Sequence, residues 1–385
     1  MKAALLALVA AAACWAGPFR FFWISADGLE DMGRLDSLLD AARAAGANGL
    51  LVQVMGRGEA WYSSDLLPPA YILDTYDPLA HVISRAHAMG MEVHAWVNAF
   101  LTWSAPQPPS DPSHVCYAHP EWFMEDLRGR SSLTYSRAEC DAAGIVGATL
   151  SPAEEGVRKR LADICVEIAA RYDVDGIHLD YVRYPGTGFG FEPRARAGFF
   201  LETGTDPVDL YPASGWTTAA VPGREQEWLE WRARQVTASV RTVRAALRRE
   251  APGIPLSCAV MADPLSAAGE YGCDWRSWLT EGLVDFVCPM AYSSSADRAG
   301  DLAVLDTAVS PGKVVYGIAV YNQSLESALR GAAAARARGD AGTCVYSLNT
   351  FDARDAAALR SFWGGGAKAP VVLPAEFNRL ARFRA

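Results

Sequence analysis

A chain of 385 residues that is 51 % apolar and 21 % charged has too much to bury for a disordered polymer, and room for one large domain or two ordinary ones. Its net charge of −9, with no Lys- or Arg-rich run, argues against a nucleic-acid partner. No cysteine pair has zinc-ligand spacing and no glycine-rich phosphate loop follows a predicted strand, so neither a metal nor a nucleotide cofactor is expected.

The N-terminus has the pattern of a secretory leader. Lys2 precedes the apolar run AALLALVAAAA (Ala3–Ala13), which is too short to span a bilayer. Residues 1–16 are read as a signal peptide cut after Ala16. The alternative is lipid attachment at Cys14, because AAAC resembles a lipoprotein cleavage site, although Ala11 stands where Leu is usual. Both routes lead out of the cytoplasm, to a secreted, periplasmic or envelope-anchored protein. An oxidising compartment permits a Cys116–Cys140 disulfide within one polar insertion.

From residue 19 onward the pattern alternates. FRFFWIS (Phe19–Ser25) is a strand, and Asp31–Ala45 a helix with Leu35, Leu38 and Leu39 on one stripe, stopped by Gly46. GLLVQVM (Gly49–Met55) is the second strand, Pro78–Met89 a helix, and MEVHAWVNAF (Met91–Phe100) the third strand. Ala153–Tyr172 is helical, and VDGIHLDYVRYP (Val174–Pro185) holds the fourth strand. The long helix Glu225–Glu250 precedes IPLSCAVM (Ile254–Met261); the short helix WRSWLTEG precedes LVDFVCPMAY (Leu283–Tyr292). KVVYGIAVY (Lys313–Tyr321), the helix Ser324–Gly339 and AGTCVYSL (Ala341–Leu348) complete the series. Eight short apolar strands, most with helices between them, predict a (β/α)₈ TIM barrel over residues 17–363, followed by a linker and tail over 364–385. Two long insertions, Leu101–Ser151 and Gly186–Gly223, follow strands three and four. In such a barrel, loops after strands build the active face.

Strand alternation then selects side chains. Gly176, His178 and Asp180 share one face of the fourth strand, and Asp180 points into the barrel mouth. Ile177, Leu179 and Tyr181 share the other. His94, Trp96 and Asn98 share a face of the third strand, and Gln53 sits in the second. Arg57, Glu59 and Trp61 follow in the loop GRGEAWY; Asp263 ends the fifth strand and Tyr292 the sixth. A carboxylate in an apolar strand is costly unless paired or used. Asp180 is therefore either the salt-bridge partner of Arg183 alone or a catalytic group. His94 and His178 read as interior histidines, with His178 also a candidate for the mouth. Trp61, Trp96, Trp103 and Trp122, four of the 12 tryptophans, fall at or just after strand ends. Carboxylates beside indoles suit carbohydrate, whose C–H faces stack on rings and whose hydroxyls bond to Asp, Asn and Arg.

The motifs LLVQVMGRGEAWYSS, MEVHAWVNAF, HPEWFMED, YDVDGIHLDYVRYP and GLVDFVCPMAY, in that order, resemble the glycosyl-hydrolase-like family 10 proteins, bacterial extracytoplasmic (β/α)₈ barrels. The resemblance spans roughly Phe19–Phe351. It implies hydrolysis of a cell-wall or related polysaccharide of the peptidoglycan type, with Asp180 as a catalytic carboxylate. Gln53, Arg57, Trp61, Trp96, Asn98, His178, Tyr181, Arg183 and Tyr292 are the expected substrate contacts. Met55 and Glu59 stand where relatives often carry Arg and Asp. For the second carboxylate the candidates are Asp263 and Glu59, with Asp263 favoured because strand five neighbours strand four. The competing reading is a non-catalytic barrel that binds glycan at the cell surface.

Overall fold

The computed structural model describes residues 18–211, 224–292, 310 and 312–364. The leader reading, with Cys14, and the tail beyond Gly364 lie outside the described residues.

Eight strands form one parallel barrel: β1 (Phe19–Ile24), β2 (Gly49–Gly56), β3 (Glu92–Asn98), β4 (Gly176–Asp180), β5 (Leu256–Val260), β6 (Phe286–Pro289), β7 (Val315–Ala319) and β8 (Gly342–Tyr346). Each lies beside its sequence neighbour, and β8 pairs with β1. The ring closes between β6 and β7 through the parallel bridges Val287–Val314 and Met290–Gly317, with the Val287 N–H donating to the Lys313 carbonyl at 2.9 Å. The expected (β/α)₈ barrel is therefore the observed fold.

Alternation divides the apolar residues into two cores. Phe19, Phe21, Trp23, Leu51, Trp96, Phe286, Cys288 and Cys344 come from strands alone and fill the barrel. Phe22, Ile24, Leu50 and Val52 face outward and pack with the helices. The interior is tight where His94 crosses β4: a Cβ on Gly176 would lie 2.2 Å from its imidazole, so only glycine fits there.

Among the helices packed around the strands are α1 (Met32–Ala45), α2 (Pro78–Ala88), α3 (Glu155–Arg171), α4 (Glu225–Glu250), α5 (Trp275–Thr280), α6 (Leu325–Arg336) and α7 (Ala356–Gly364). Asp31 and Asp77 cap α1 and α2 by accepting backbone N–H bonds at 2.7 and 3.0 Å. The left-handed Gly46, φ +84°, ends α1. Helix α7 was not expected; its Leu359 and Trp363 are buried in the outer core, so the described barrel includes a helix that reaches Gly364.

The insertion after β3 is anchored by the antiparallel ribbon Leu101–Trp103 with Ala148–Thr149. The expected Cys116–Cys140 bridge is corrected: both are free, buried thiols. Each packs as a small apolar residue, while hydrogen bonds such as Met124 N–H to the Thr149 carbonyl (2.9 Å) and the Arg130–Glu139 ion pair (2.6 Å) fasten the insertion.

A seam joins this insertion to the one after β4. The N–H groups of Gly190 and Phe191 both donate to the Glu125 carbonyl, at 3.0 and 3.1 Å. Glu192 is buried in the seam, where its carboxylate accepts from the Ser151 hydroxyl and the Glu125 N–H. Burial pushes this carboxyl up from 4.5 to about 7. Between those values the folded chain holds a proton that the unfolded chain has released. Stability is thus fullest below 4.5 and falls as pH rises toward 7, by about 3 kcal/mol for this group alone. Glu192→Gln is expected to flatten that decline in thermal melts taken between pH 5 and pH 8. Equal slopes for the two proteins would refute the assignment.

Candidate active site

A cavity of about 500 Å³ opens at the C-terminal ends of the strands. Its floor is built by β1 to β4. Trp23 and Trp96 present their rings from β1 and β3, and Asn98 and Asp180 end paired strands in direct register. The Asn98 amide is oriented by donors that allow only one assignment. Its Oδ1 accepts from Trp96 Nε1 (3.0 Å) and Gln53 Nε2 (3.3 Å), while Gln53 Oε1 accepts from the Ala26 N–H (3.0 Å). The Nδ2 group is left as a donor at the cavity.

Asp180 is only 5 % exposed. Its Oδ1 accepts from the Tyr181 N–H at 2.6 Å and from Arg183 Nη1 at 3.0 Å. Oδ2 has no hydrogen-bond partner among the described residues, so one oxygen anchors the group and the other is available to a ligand. Burial pulls the Arg183 guanidinium down, but Asp180 and Tyr181 together outweigh it and hold Arg183 above its ordinary value.

Directly after Asp180 the alternation breaks. Tyr181 has φ +50°, which turns its ring into the cavity instead of toward the helices as the strand pattern predicts. Arg183 lies over that ring, 4.4 Å from its centroid. Burial, then the Asp180 charge, pushes the Tyr181 hydroxyl up to about 12, so it remains a proton donor.

Aromatic walls flank the floor. On one side Tyr292 and Tyr346 stack at 5.5 Å, and Tyr321, 57 % exposed, stands edge-on to both. Across the mouth Trp61 meets Tyr71, 68 % exposed, at 6.1 Å. Beside Trp61, β2 turns back through Arg57 and Gly58, pairing Gly56 with Glu59 and bringing both Arg57 and Glu59 to the cavity. Burial raises the Glu59 carboxyl, against the pull of Arg57.

Most of the expected contacts converge here: Gln53, Arg57, Glu59, Trp61, Trp96, Asn98, Asp180, Tyr181, Arg183 and Tyr292 all line the cavity. Two expectations are corrected. His178 is fully buried beneath the floor, where Nε2 accepts from Trp23 Nε1 at 3.2 Å and Nδ1 meets Ser257 Oγ at 2.9 Å; it props Trp23 and does not reach the mouth. Asp263 is not among the lining residues. Its Oδ1 accepts from the Leu265 N–H at 3.0 Å and caps the short helix Pro264–Gly269. Nor does Trp122 face the cavity; it stacks on His119 at 3.6 Å.

The glycosyl hydrolase-like 10 profile matches residues 23–323, from the floor residue Trp23 to just past the wall residue Tyr321. The chain belongs to that family. It is similar to glycosyl hydrolase DigH of Escherichia coli K12, with 24 % identity over 302 residues covering 69 % of this chain and 60 % of that protein. It is also similar to glycosyl hydrolase YngK of Bacillus subtilis strain 168, with 23 % identity over 312 residues covering 74 % and 54 %. The chain therefore spans little more than half the length of these curated relatives. In fold it matches the PgaB (BpsB) glycoside hydrolase domain from Bordetella bronchiseptica, with a TM-score of 0.68 at 17 % identity over 90 % of this chain and 99 % of that one. The catalytic domain of β-amylase from Paenibacillus polymyxa matches with a TM-score of 0.59 at 12 % identity, over 92 % and 100 %. At these identities the likeness carries the barrel alone, and the roles of residues in this glycosyl hydrolase-like 10 chain rest on its own geometry.

That geometry adds residues that strand patterns did not reveal. Asp27 and Glu30 reach the cavity from the turn after β1, and Tyr71, Tyr321 and Tyr346 from loops and the end of β8. An acidic pair just past an aromatic strand was the available signal for the first two.

Proposed function

We propose that this glycosyl hydrolase-like 10 barrel hydrolyses O-glycosidic bonds in a polysaccharide of the bacterial cell envelope. The observation that carries the reading is the Oδ2 of Asp180, without a hydrogen-bond partner among the described residues, at the floor of a cavity walled by aromatic rings. Tyr321 and Tyr71 stand at the rim as stacking surfaces for sugar rings, and Asn98 Nδ2 and Arg183 supply donors to hydroxyls.

In this reading Asp180 acts as nucleophile or general base and Glu59 as general acid. The protonated Glu59 gives its proton to the glycosidic oxygen as the C–O bond breaks. Asp180 either attacks the anomeric carbon or takes a proton from the water that does so. Arg183 anchors Asp180 through the ion pair at 3.0 Å, and burial keeps Glu59 protonated to higher pH than an exposed glutamate. The leader-like N-terminus supports action outside the cytoplasm.

Purified cell-wall glycan, with and without stem peptides, is the test substrate, with mass analysis of the products. Shortened saccharides are the expected result. Glycan retained by the protein but left intact would replace this reading with that of a glycan-binding barrel.

A further inference from the structure

The hairpin that carries Glu59 is held from outside by a residue remote in sequence. β2 reverses through Arg57 (φ +53°) and Gly58 (φ +71°), a two-residue turn with both positions left-handed, and Met55–Ala60 and Gly56–Glu59 pair across it. Gly58 suits that conformation, but Arg57 does not, so the turn needs an external restraint. His114, in the insertion after β3, supplies one. Its side chain is 0 % exposed, and Nε2 lies 2.8 Å from the Arg57 carbonyl while Nδ1 lies 3.2 Å from the Cys116 N–H.

Both partners have fixed roles. A carbonyl only accepts and a backbone N–H only donates, so Nε2 carries the proton and Nδ1 the lone pair. Only this neutral tautomer makes both bonds. Burial lowers the imidazole's proton affinity and favours that state; Arg160 acts in the same sense, and Asp111 and the bond to Arg57 oppose it. The fit is close. A Cβ on Gly58 would lie 2.6 Å from His114 Nε2, and the Trp103 ring packs edge-on to the imidazole at 5.2 Å. The same insertion grips the turn a second time, where Arg57 Nε donates to Ser104 Oγ at 3.3 Å.

We propose that His114 is a positioning residue that clamps the Arg57–Gly58 turn and so fixes the place of Glu59 over the cavity. The inference rests on the role given above to Glu59 as general acid. It assigns the insertion after β3 a task in the reaction although His114 itself touches no substrate.

Two variants separate the bonds. His114→Gln can still reach the Arg57 carbonyl with an amide N–H; His114→Asn can accept from the Cys116 N–H but is too short to reach Arg57. Amide hydrogen exchange over residues 57–60 of the full chain reads the clamp without any substrate. It is expected to quicken in the Asn variant and to stay near wild type in the Gln variant. Misplacing the acid by about 1 Å is expected to lower kcat on polymeric glycan by about 10²-fold. KM and turnover of an activated aryl glycoside should change little. The imidazole ¹⁵N shifts of the unmutated protein should show Nε2 protonated and Nδ1 bare. An Nδ1–H tautomer, unchanged exchange in the Asn variant, or an equal loss on both substrates without rescue by Gln would each overturn the clamp. If the unmutated protein cleaves no glycan, the proposed function fails, while exchange and ¹⁵N shifts still decide whether His114 holds the turn.

Discussion

Asp180→Asn is expected to remove nearly all cleavage of a natural glycan. The substitution keeps the size of the side chain and its bond from the Tyr181 N–H, but it removes the carboxylate oxygen that has no hydrogen-bond partner among the described residues. An amide can neither attack an anomeric carbon nor take a proton from water, and a positioned carboxylate in that role contributes about 10² to 10⁴ in rate, or more when it forms a covalent bond. There is a second effect. Arg183 is nearly buried beside Asp180, and losing its counter-charge strands a cation, a change that costs about 3–5 kcal/mol at fully buried pairs. Rates are therefore compared at a temperature where circular dichroism shows both proteins folded. Undiminished turnover by the folded variant would remove Asp180 from the chemistry and leave it as a structural partner of Arg183.

The barrel was legible because most strands are short, apolar and rich in β-branched or aromatic residues, and because a period of two placed Trp96, Asn98 and Asp180 on inward faces. The same rule misplaced Tyr181, since alternation holds only while the backbone stays extended and φ +50° ends it. Asp263 was misjudged for a different reason. Asp followed by Pro is a helix-start signal, with the acid as cap and the proline in the first turn, and that reading competes directly with a strand-end carboxylate. Helix α7 was missed because its amphipathic stretch is short and runs straight into the Gly364–Gly366 signal. The clamp by His114, 57 residues from Arg57, and the seam at Glu192 join distant segments through single side chains, and no local pattern marks such contacts.

Glu59→Gln and Asp263→Asn are expected to behave in opposite ways, reversing the order favoured from sequence. Glu59 lines the cavity with Asp180, and burial raises its carboxyl, as an acid that must hold a proton requires. Arg57 opposes this, but it is exposed and burial is the larger influence. Protonating the leaving oxygen is worth about 10² to 10⁴ in rate when that oxygen departs as a poor leaving group, and little when it departs as a stable aryl oxide. Glu59→Gln should therefore cripple cleavage of natural glycan and spare an activated aryl glycoside. It should also erase the alkaline fall in kcat/KM, because that fall marks the pH at which Glu59 loses its proton. Asp263→Asn, by contrast, replaces one good helix cap with another and should leave turnover of both substrates unchanged; even Asp263→Ala should cost only about 1 kcal/mol of stability. A selective loss on natural glycan in the Asp263 variant, with Glu59→Gln unaffected, would return the acid to the end of β5 and require the Pro264–Gly269 segment to move when substrate binds.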